Sequence, residues 1–380
     1  MLQNFNDLRM LCMDVARRKP PVLHRNRPVW IFGAGNFGRD LCMVLKQEGF
    51  EIRGFIESDA RKESILDLAL QSWREISSES LTEQLAIGIF NRDMPLDQLL
   101  IKAESAGFSD IFMPWDLYAQ FGAQLGWRFW LSSPEIITGN LSAIERTYLS
   151  LADEESRRCL LEICAFRLGA HTPYASFTHA ERMYFNHLTV PSLRGRKITY
   201  VDGGAYNGDT FLEINSLLDV ATAYLFEPDQ DNYRAMVAAV KSVNGTALCL
   251  PLALTEQYDI LSFHGKMGEG CALSTLGSLQ IAASALDEIL NGQHVDFIKL
   301  DVEGAEALAI GGAARVIRNS RPILAISLYH NPEDIWRIPD LLSGICEDYQ
   351  FYIRQHCYNS FESVLYAIPR KLTLVAMELL

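Results

Sequence analysis

Two successive runs of alternating strand and helix patterns predict an α/β chain of two domains, each built on a mostly parallel sheet. Three observations carry the prediction. The chain has 380 residues, room for two domains at about 100–200 residues each. An apolar strand runs into glycines and then a helix at "VWIFGAGNFGRDLCMVL" (29–45) and again at "ITYVDGGAYNGDTFLEI" (198–214). The composition, 49% hydrophobic and 21% charged, fills two cores and excludes disorder.

Charge and patterning narrow the function classes. A net charge of −13 argues against a nucleic-acid binder, which needs clustered Lys and Arg to neutralise phosphates. It leaves neutral or cationic small ligands. The first thirty residues mix charges with apolar positions and lack a small-residue cleavage site, so no signal peptide is expected. No apolar run reaches the roughly 18 residues of a membrane span. A cytoplasmic protein is expected, and a homo-oligomer is compatible with the sequence. The eight cysteines form no C-x-x-C pair and read as buried reduced thiols.

The first series justifies its elements in order. After a short helix and the breaker "RKPP" come the strand "PVWIFGAG", a helix to Gly49, and the strand "EIRGFIES". The strand "LAIGIFN", the amphipathic "PLDQLLIKAESAGF" and the strand "DIFMPW" complete about four parallel strands, a Rossmann-like nucleotide-binding domain over 1–130. Residues 131–170, with apolar positions three and four apart, read as a helical connector. The second series, in a domain over 171–380, supplies "ITYVDGG", "TAYLFEPD", "ALCLPLAL", "DILSFHG", "VDFIKLD", "PILAISLYH", "QFYIRQH" and "SVLYAIP". Only "CYNSFE" separates the last two, so they form an antiparallel hairpin.

The two turns differ chemically. Each has an acid 24 positions after its first glycine, Glu57 after Gly33 and Glu227 after Gly203, placed to accept hydrogen bonds from a ribose diol. Gly33, Gly35 and Gly38 form a full G-x-G-x-x-G of bare backbone, which favours a pyrophosphate and marks a second nucleotide site. At the other turn Asp202 precedes the glycine and Ala205 replaces the middle one. A carboxylate there repels phosphate and favours a cationic, ribose-bearing ligand, and S-adenosylmethionine has those features.

The segments "VDGGAYNGDT", "FEPDQDNY", "LDEIL" (286–290), "VDFIKLDVEGAE" (295–306) and "SLYHNPEDIWRIPDLL" (327–342), in that order, resemble the FkbM family of methyltransferases. The resemblance covers about the last 200 residues. It implies a class I, S-adenosylmethionine-dependent methyltransferase sheet and transfer to a hydroxyl oxygen on a sugar, glycan or secondary metabolite. Its motif I and the segments that follow imply cofactor contacts from Asp202, Gly203, Gly204, Ala205, Tyr206, Gly208, Thr210, Glu227, Pro228, Asp287 and Asp301.

Methyl transfer to a hydroxyl needs alignment and a group to take the proton. Asp301 is the first choice because it ends the strand beside the cofactor strand, and His330, with an ordinary pKa near neutrality, is the second. Set against these, Asp301 would merely pair with Lys299, and Glu303 and Glu306 would decorate a helix N-terminus. Asp301, Glu303, His330 and Asp334 could converge on a divalent metal, but no ligand spacing demands one and none is expected. The aromatic stretch with Tyr174, Tyr184, Phe185 and three histidines reads as packing ahead of a sugar-site floor. Two rivals stand beside the methyltransferase: an NAD(P)-dependent nucleotide-sugar oxidoreductase or epimerase on the first turn, and a non-catalytic nucleotide-sensing module. The first lacks a Tyr-x-x-x-Lys pair within residues 40–130.

Overall fold

The computed structural model describes residues 2–58, 64–170, 180–241, 243, 245–263 and 279–372. The chain folds as two compact units: Met1–Ser142 with Arg158–Thr178 and Cys357–Glu362, and Ala143–Arg157 with His179–His356 and Ser363–Leu380. The helical stretch expected over 131–170 is thus shared between them.

In the first unit, β1 (Val29–Phe32), β2 (Ile52–Glu57), β3 (Ser64–Ile65), β4 (Leu68–Ser72), β5 (Gln84–Ile87) and β6 (Ile111–Phe112) form one sheet in the order β3-β4-β2-β1-β5-β6. All pairings are parallel except β3 with β4. The four strands expected from apolar patterning are all present. The added pair, β3 and β4, is short and only partly buried, so it carries no apolar run to read. The chain reverses direction across the sheet at β1, where a ligand crevice is expected past the strand ends.

In the second unit, β7 (Lys197–Gly203), β8 (Asp219–Phe226), β9 (Thr246–Leu250), β10 (Ala253–Leu254), β11 (Asp259–Phe263), β12 (Leu279–Ser284), β13 (Phe297–Leu300), β14 (Ile323–Ser327), β15 (Tyr349–Gln355) and β16 (Ser363–Pro369) follow in the chain. Seven form a sheet in the order β15-β16-β14-β13-β7-β8-β9, parallel from β9 to β14 and closed by the antiparallel pairs of β16 with β14 and β15. The terminal hairpin is where the short connection placed it. The strand "DILSFHG" is corrected: β11 leaves the large sheet and joins β10 and β12 in a separate three-stranded one. "ALCLPLAL" splits at Pro251, since Pro cannot donate to a ladder, and its second half becomes β10.

The core that sets this unit's geometry lies against β7 and β13. Tyr200, Phe297 and Phe185 meet edge-on or tilted with ring centroids 5.6–6.2 Å apart, and Phe211 and Ile214 of helix Asp209–Leu217 pack in the same cluster. Phe185 is therefore a packing residue, as read from the sequence. The order of strands reverses between β7 and β13, so the C-terminal ends of these two strands flank the crevice in which doubly wound sheets bind ligands. Among the described residues no helix is long and apolar enough to cross a membrane. The seven described cysteines are free thiols, and Cys271 lies outside the described residues.

Candidate functional site

The glycine turn after β7 is shaped by close backbone approach. Gly204 has φ +77°, and a Cβ on it would stand 1.8 Å from the carbonyl oxygen of Asp301, so only glycine fits. This contact puts the ends of β7 and β13 against each other. Tyr206 has φ +47° and is 43% exposed, lying open at the mouth of the turn. Ala205 is buried, Gly208 (φ +86°) caps helix Asp209–Leu217, and Thr210 sits in that helix's first turn.

Glu227 follows β8 and is nearly buried. Its Oε2 accepts the Tyr206 N–H at 2.9 Å and its Oε1 accepts the Asp229 N–H at 2.9 Å, so it ties the glycine turn to the Pro228 loop. Burial pushes its carboxyl up to about 7, against the pull of those two amides. At the first turn Glu57 Oε1 accepts the Ala34 N–H at 2.8 Å. There Gly33 has φ +105°, a Cβ on Gly38 would lie 2.0 Å from the Gly33 carbonyl oxygen, and Gly35 faces open space at the start of helix Asn36–Gln47.

Asp202 and Lys299 are cross-strand neighbours on β7 and β13, both buried, with Nζ 2.9 Å from Oδ1. Tyr200 donates to Asp202 Oδ2 at 3.0 Å, and Lys299 also donates to the Gly204 carbonyl at 2.7 Å. Burial alone would lower the lysine's pKa, but Asp202 and Asp301 outweigh it and hold it up. Two expectations change here. Lys299 has Asp202, not Asp301, as its ion-pair partner, and a carboxylate already neutralised by a lysine contributes little repulsion of a phosphate. Lys299, the cation next to the turn, is engaged by Asp202 and the Gly204 carbonyl.

Asp301, just past β13, stays partly open, with 22% of its side chain exposed. Its Oδ2 accepts from the Tyr184 hydroxyl at 2.9 Å and its Oδ1 from the Tyr329 hydroxyl at 3.3 Å. Burial would raise its pKa, yet the cations Lys299 and His330 and the hydroxyl hydrogen bonds hold it below the usual carboxylate range. His330, beyond the end of β14, is fully buried. Its Nδ1 lies 2.8 Å from Glu306 Oε1, and its Nε2 lies 3.4 Å from Asp301 Oδ1 and 3.5 Å from Glu303 Oε2. Burial would lower its pKa, but Glu306, Glu303 and Asp301 together raise it to about 10. The three acids thus favour the protonated ring, against the near-neutral pKa expected from the sequence.

Asp287, expected among the cofactor contacts, accepts the Arg315 and Val316 N–H groups at 2.9 and 2.8 Å with its two oxygens and so holds the start of helix Ala314–Ser320. Tyr184, Tyr329 and Glu306 are members of the site that sequence reasoning does not assign to it. Tyr184, expected to pack, does pack, but its hydroxyl reaches Asp301 and its ring lies 5.4 Å from Lys299 Nζ. Glu306 does cap the turn it follows, accepting from Val302 and Gly304 N–H, and also grips His330. Of the aromatic stretch, Tyr174, His171 and His179 lie outside the described residues, while His187 is exposed beside Glu181 at 2.8 Å.

A doubly wound sheet with an antiparallel terminal hairpin, a glycine turn at its switch point and acids at the ends of the flanking strands defines the methyltransferase type of Rossmann fold. Residues 202–362 match the model of the methyltransferase FkbM domain family. Among solved structures the chain is similar to methyltransferase FkbM from Methylobacillus flagellatus KT, with TM-score 0.72 and 19% identity, over 96% of this chain and 99% of that one. At that identity the likeness is one of fold, and it takes in the N-terminal unit. A putative rRNA methylase from Clostridium thermocellum (TM-score 0.34, 9% identity, 47% of this chain and 90% of that one) and an rRNA methylase from Streptococcus thermophilus (0.34, 12%, 50% and 98%) are similar over about half the chain, too weakly to carry an argument. No curated protein is a significant sequence match.

Proposed function

We propose that the C-terminal domain, residues 171–380, is an S-adenosylmethionine-dependent O-methyltransferase acting on a hydroxyl of a sugar, glycan or secondary metabolite. The observation that carries the reading is the junction of the β7 glycine turn with Asp301, an ionised carboxylate at the switch point. The residues suit this cofactor. Glu227 offers carboxylate lone pairs to a ribose diol, Gly203 to Gly208 leave the turn bare apart from Ala205, Tyr206 and Asn207, and Lys299 beneath it is already paired and does not reach up for a phosphate. Bound there, S-adenosylmethionine supplies a methyl group on a sulfonium for in-line displacement by an oxygen.

Asp301 takes the acceptor's proton in this scheme. A low pKa does not disqualify it, because a hydroxyl oxygen forming a bond to carbon becomes far more acidic than any carboxylic acid, and a weak base then suffices. Tyr184 and Tyr329 fix the orientation of the carboxylate, and the His330 imidazolium keeps it ionised until the proton moves. The N-terminal turn supports a second, separate reading as a nucleotide site, because Gly35 leaves open space at the start of a 12-residue helix.

Incubation of the parent with labelled S-adenosylmethionine and a panel of hydroxyl acceptors tests the activity. In Asp301→Asn, single-turnover methylation should slow by about 10²- to 10⁴-fold with cofactor affinity little altered. A full rate per folded molecule in that variant would end the assignment of Asp301.

A further inference from the structure

The peptide between Gly204 and Ala205 is held at both of its polar ends. The Ala205 N–H donates to the Phe226 carbonyl at the end of β8 at 2.9 Å, and the Gly204 carbonyl accepts from Lys299 Nζ at 2.7 Å. The next amide, the Tyr206 N–H, goes to Glu227. A side chain of β13 therefore fixes the middle of a turn that belongs to β7.

The same ammonium bears on Asp301. Lys299 lies on β13 and Asp301 two positions later, just past its end, so strand alternation puts their side chains on one face. Tyr184 spans the two: its ring centroid lies 5.4 Å from Lys299 Nζ, while its hydroxyl donates to Asp301 Oδ2 at 2.9 Å. Burial would raise the Asp301 pKa, and among the charges that hold it down Lys299 leads, ahead of His330. Stability does not account for the arrangement, because a buried ion pair such as Lys299 with Asp202 contributes little over an apolar pair of the same volume. An apolar pair would supply neither a donor for the Gly204 carbonyl nor a positive charge near Asp301.

We propose that Lys299 is a positioning residue of the methyl-transfer site: one ammonium fixes the Gly204 carbonyl in the cofactor turn and keeps the Asp301 carboxylate charged. The inference rests on the methyltransferase reading for its role in the reaction, while the hold on Asp301 can be read without it. Other groups also face Asp301. They are the Tyr184, Tyr329 and Ser327 hydroxyls, His330 from beyond β14, and Glu303 and Glu306 behind that ring, with Asp202 on the far side of Lys299. All but Asp202 stay in place in the variants below, so a difference between those with and without the lysine belongs to Lys299.

The full chain is labelled with ¹³C at the aspartate carboxyl carbons, the Asp301 signal is identified by its loss in Asp301→Asn, and its shift is followed against pH. Asp202→Asn alone keeps the lysine. Two double variants, Asp202→Asn with Lys299→Met and Asp202→Asn with Lys299→Gln, remove the pair together. The Asp301 midpoint should be parent-like or lower in Asp202→Asn and higher by about 1–3 pH units in both double variants. S-adenosylmethionine is titrated calorimetrically into the same proteins at about pH 8, above the Glu227 midpoint. Its Kd should be parent-like in Asp202→Asn and at least about 10-fold weaker in the double variant with Lys299→Met. A lysine that only neutralised Asp202 would be missed in neither assay once its partner is gone. An Asp301 midpoint that is the same with and without the lysine, or a Lys299→Met double variant that binds the cofactor as tightly as Asp202→Asn, would overturn the proposal. If the Lys299→Met chain does not fold, the Lys299→Gln chain carries the titration, since it lacks the same charge. A parent that binds no S-adenosylmethionine would overturn the methyltransferase reading, and the Asp301 midpoints would then decide the hold of Lys299 by themselves.

Discussion

Raising the pH is expected to tighten S-adenosylmethionine binding through the ionisation of Glu227. Burial holds this carboxyl up at about 7 in the free protein, where both oxygens already accept backbone N–H groups. The sign follows from the direction of the shift. A raised acid pKa means that the folded state favours the neutral form, so Glu227 contributes stability at low pH that is lost as the pH climbs through about 7. A ribose diol and a nearby sulfonium favour the ionised form, so ligand binding recovers what ionisation costs. If the ionised form alone binds well, the ionised fraction rises from about a tenth at pH 6 to about nine tenths at pH 8, and Kd should fall by about 10-fold before levelling off. The ligand's own α-amino group titrates near pH 7.7–8.0, so titration calorimetry is run in parallel on Glu227→Gln, which shares that contribution. The difference between the two profiles belongs to Glu227. A parent profile no steeper than that of Glu227→Gln would refute the placement of the ribose on this residue.

Three further outcomes follow from the same geometry. Lys299→Met leaves Asp202 buried and uncompensated, which should cost about 3–5 kcal/mol and lower the melting temperature by roughly 6–20 °C; Asp202→Asn in the same chain should recover much of it, and unchanged melting in the single variant would contradict the pairing. Asp287→Ala should cost about 1–3 kcal/mol by orphaning the Arg315 and Val316 N–H groups while leaving cofactor affinity as in the parent, whereas a selective loss of affinity would support its sequence-based role. A thermal-shift panel of nucleotides should stabilise the parent but not Gly35→Val, with S-adenosylmethionine binding intact in both. A parent that responds to no nucleotide would mark the N-terminal turn as structural.

Strand positions are legible in the sequence where they are long and buried, as with β7, β8, β13 and β14, because apolar runs of that length fit few other structures. The strands β3 and β4 are not, being short and partly exposed, and β12 escapes notice because "LQIAAS" has only two large apolar residues, Leu279 and Ile281. Glycines with positive φ are legible through the motif, and the matching offsets of Glu57 and Glu227 correspond to two acids that each accept from their own turn. Partners of charges are not legible. Alternation puts Lys299 and Asp301 on one face, but which acid takes the lysine depends on the register of β13 against β7, which sets Lys299 opposite Asp202. The histidine at the end of β14 is found by position, while its protonation depends on Glu306 and Glu303 folding over it from the β13 loop. Tyr184 lies 117 residues from Asp301 in the chain, and no local pattern announces that contact.

The central claim is tested most directly by a crystal structure of the full chain grown with S-adenosylmethionine. Density is expected along Gly203 to Gly208, with the ribose hydroxyls within hydrogen-bond reach of Glu227 and the methyl group facing the open side of Asp301. Density confined to the Gly33 turn, or a ribose that leaves Glu227 untouched, would contradict it.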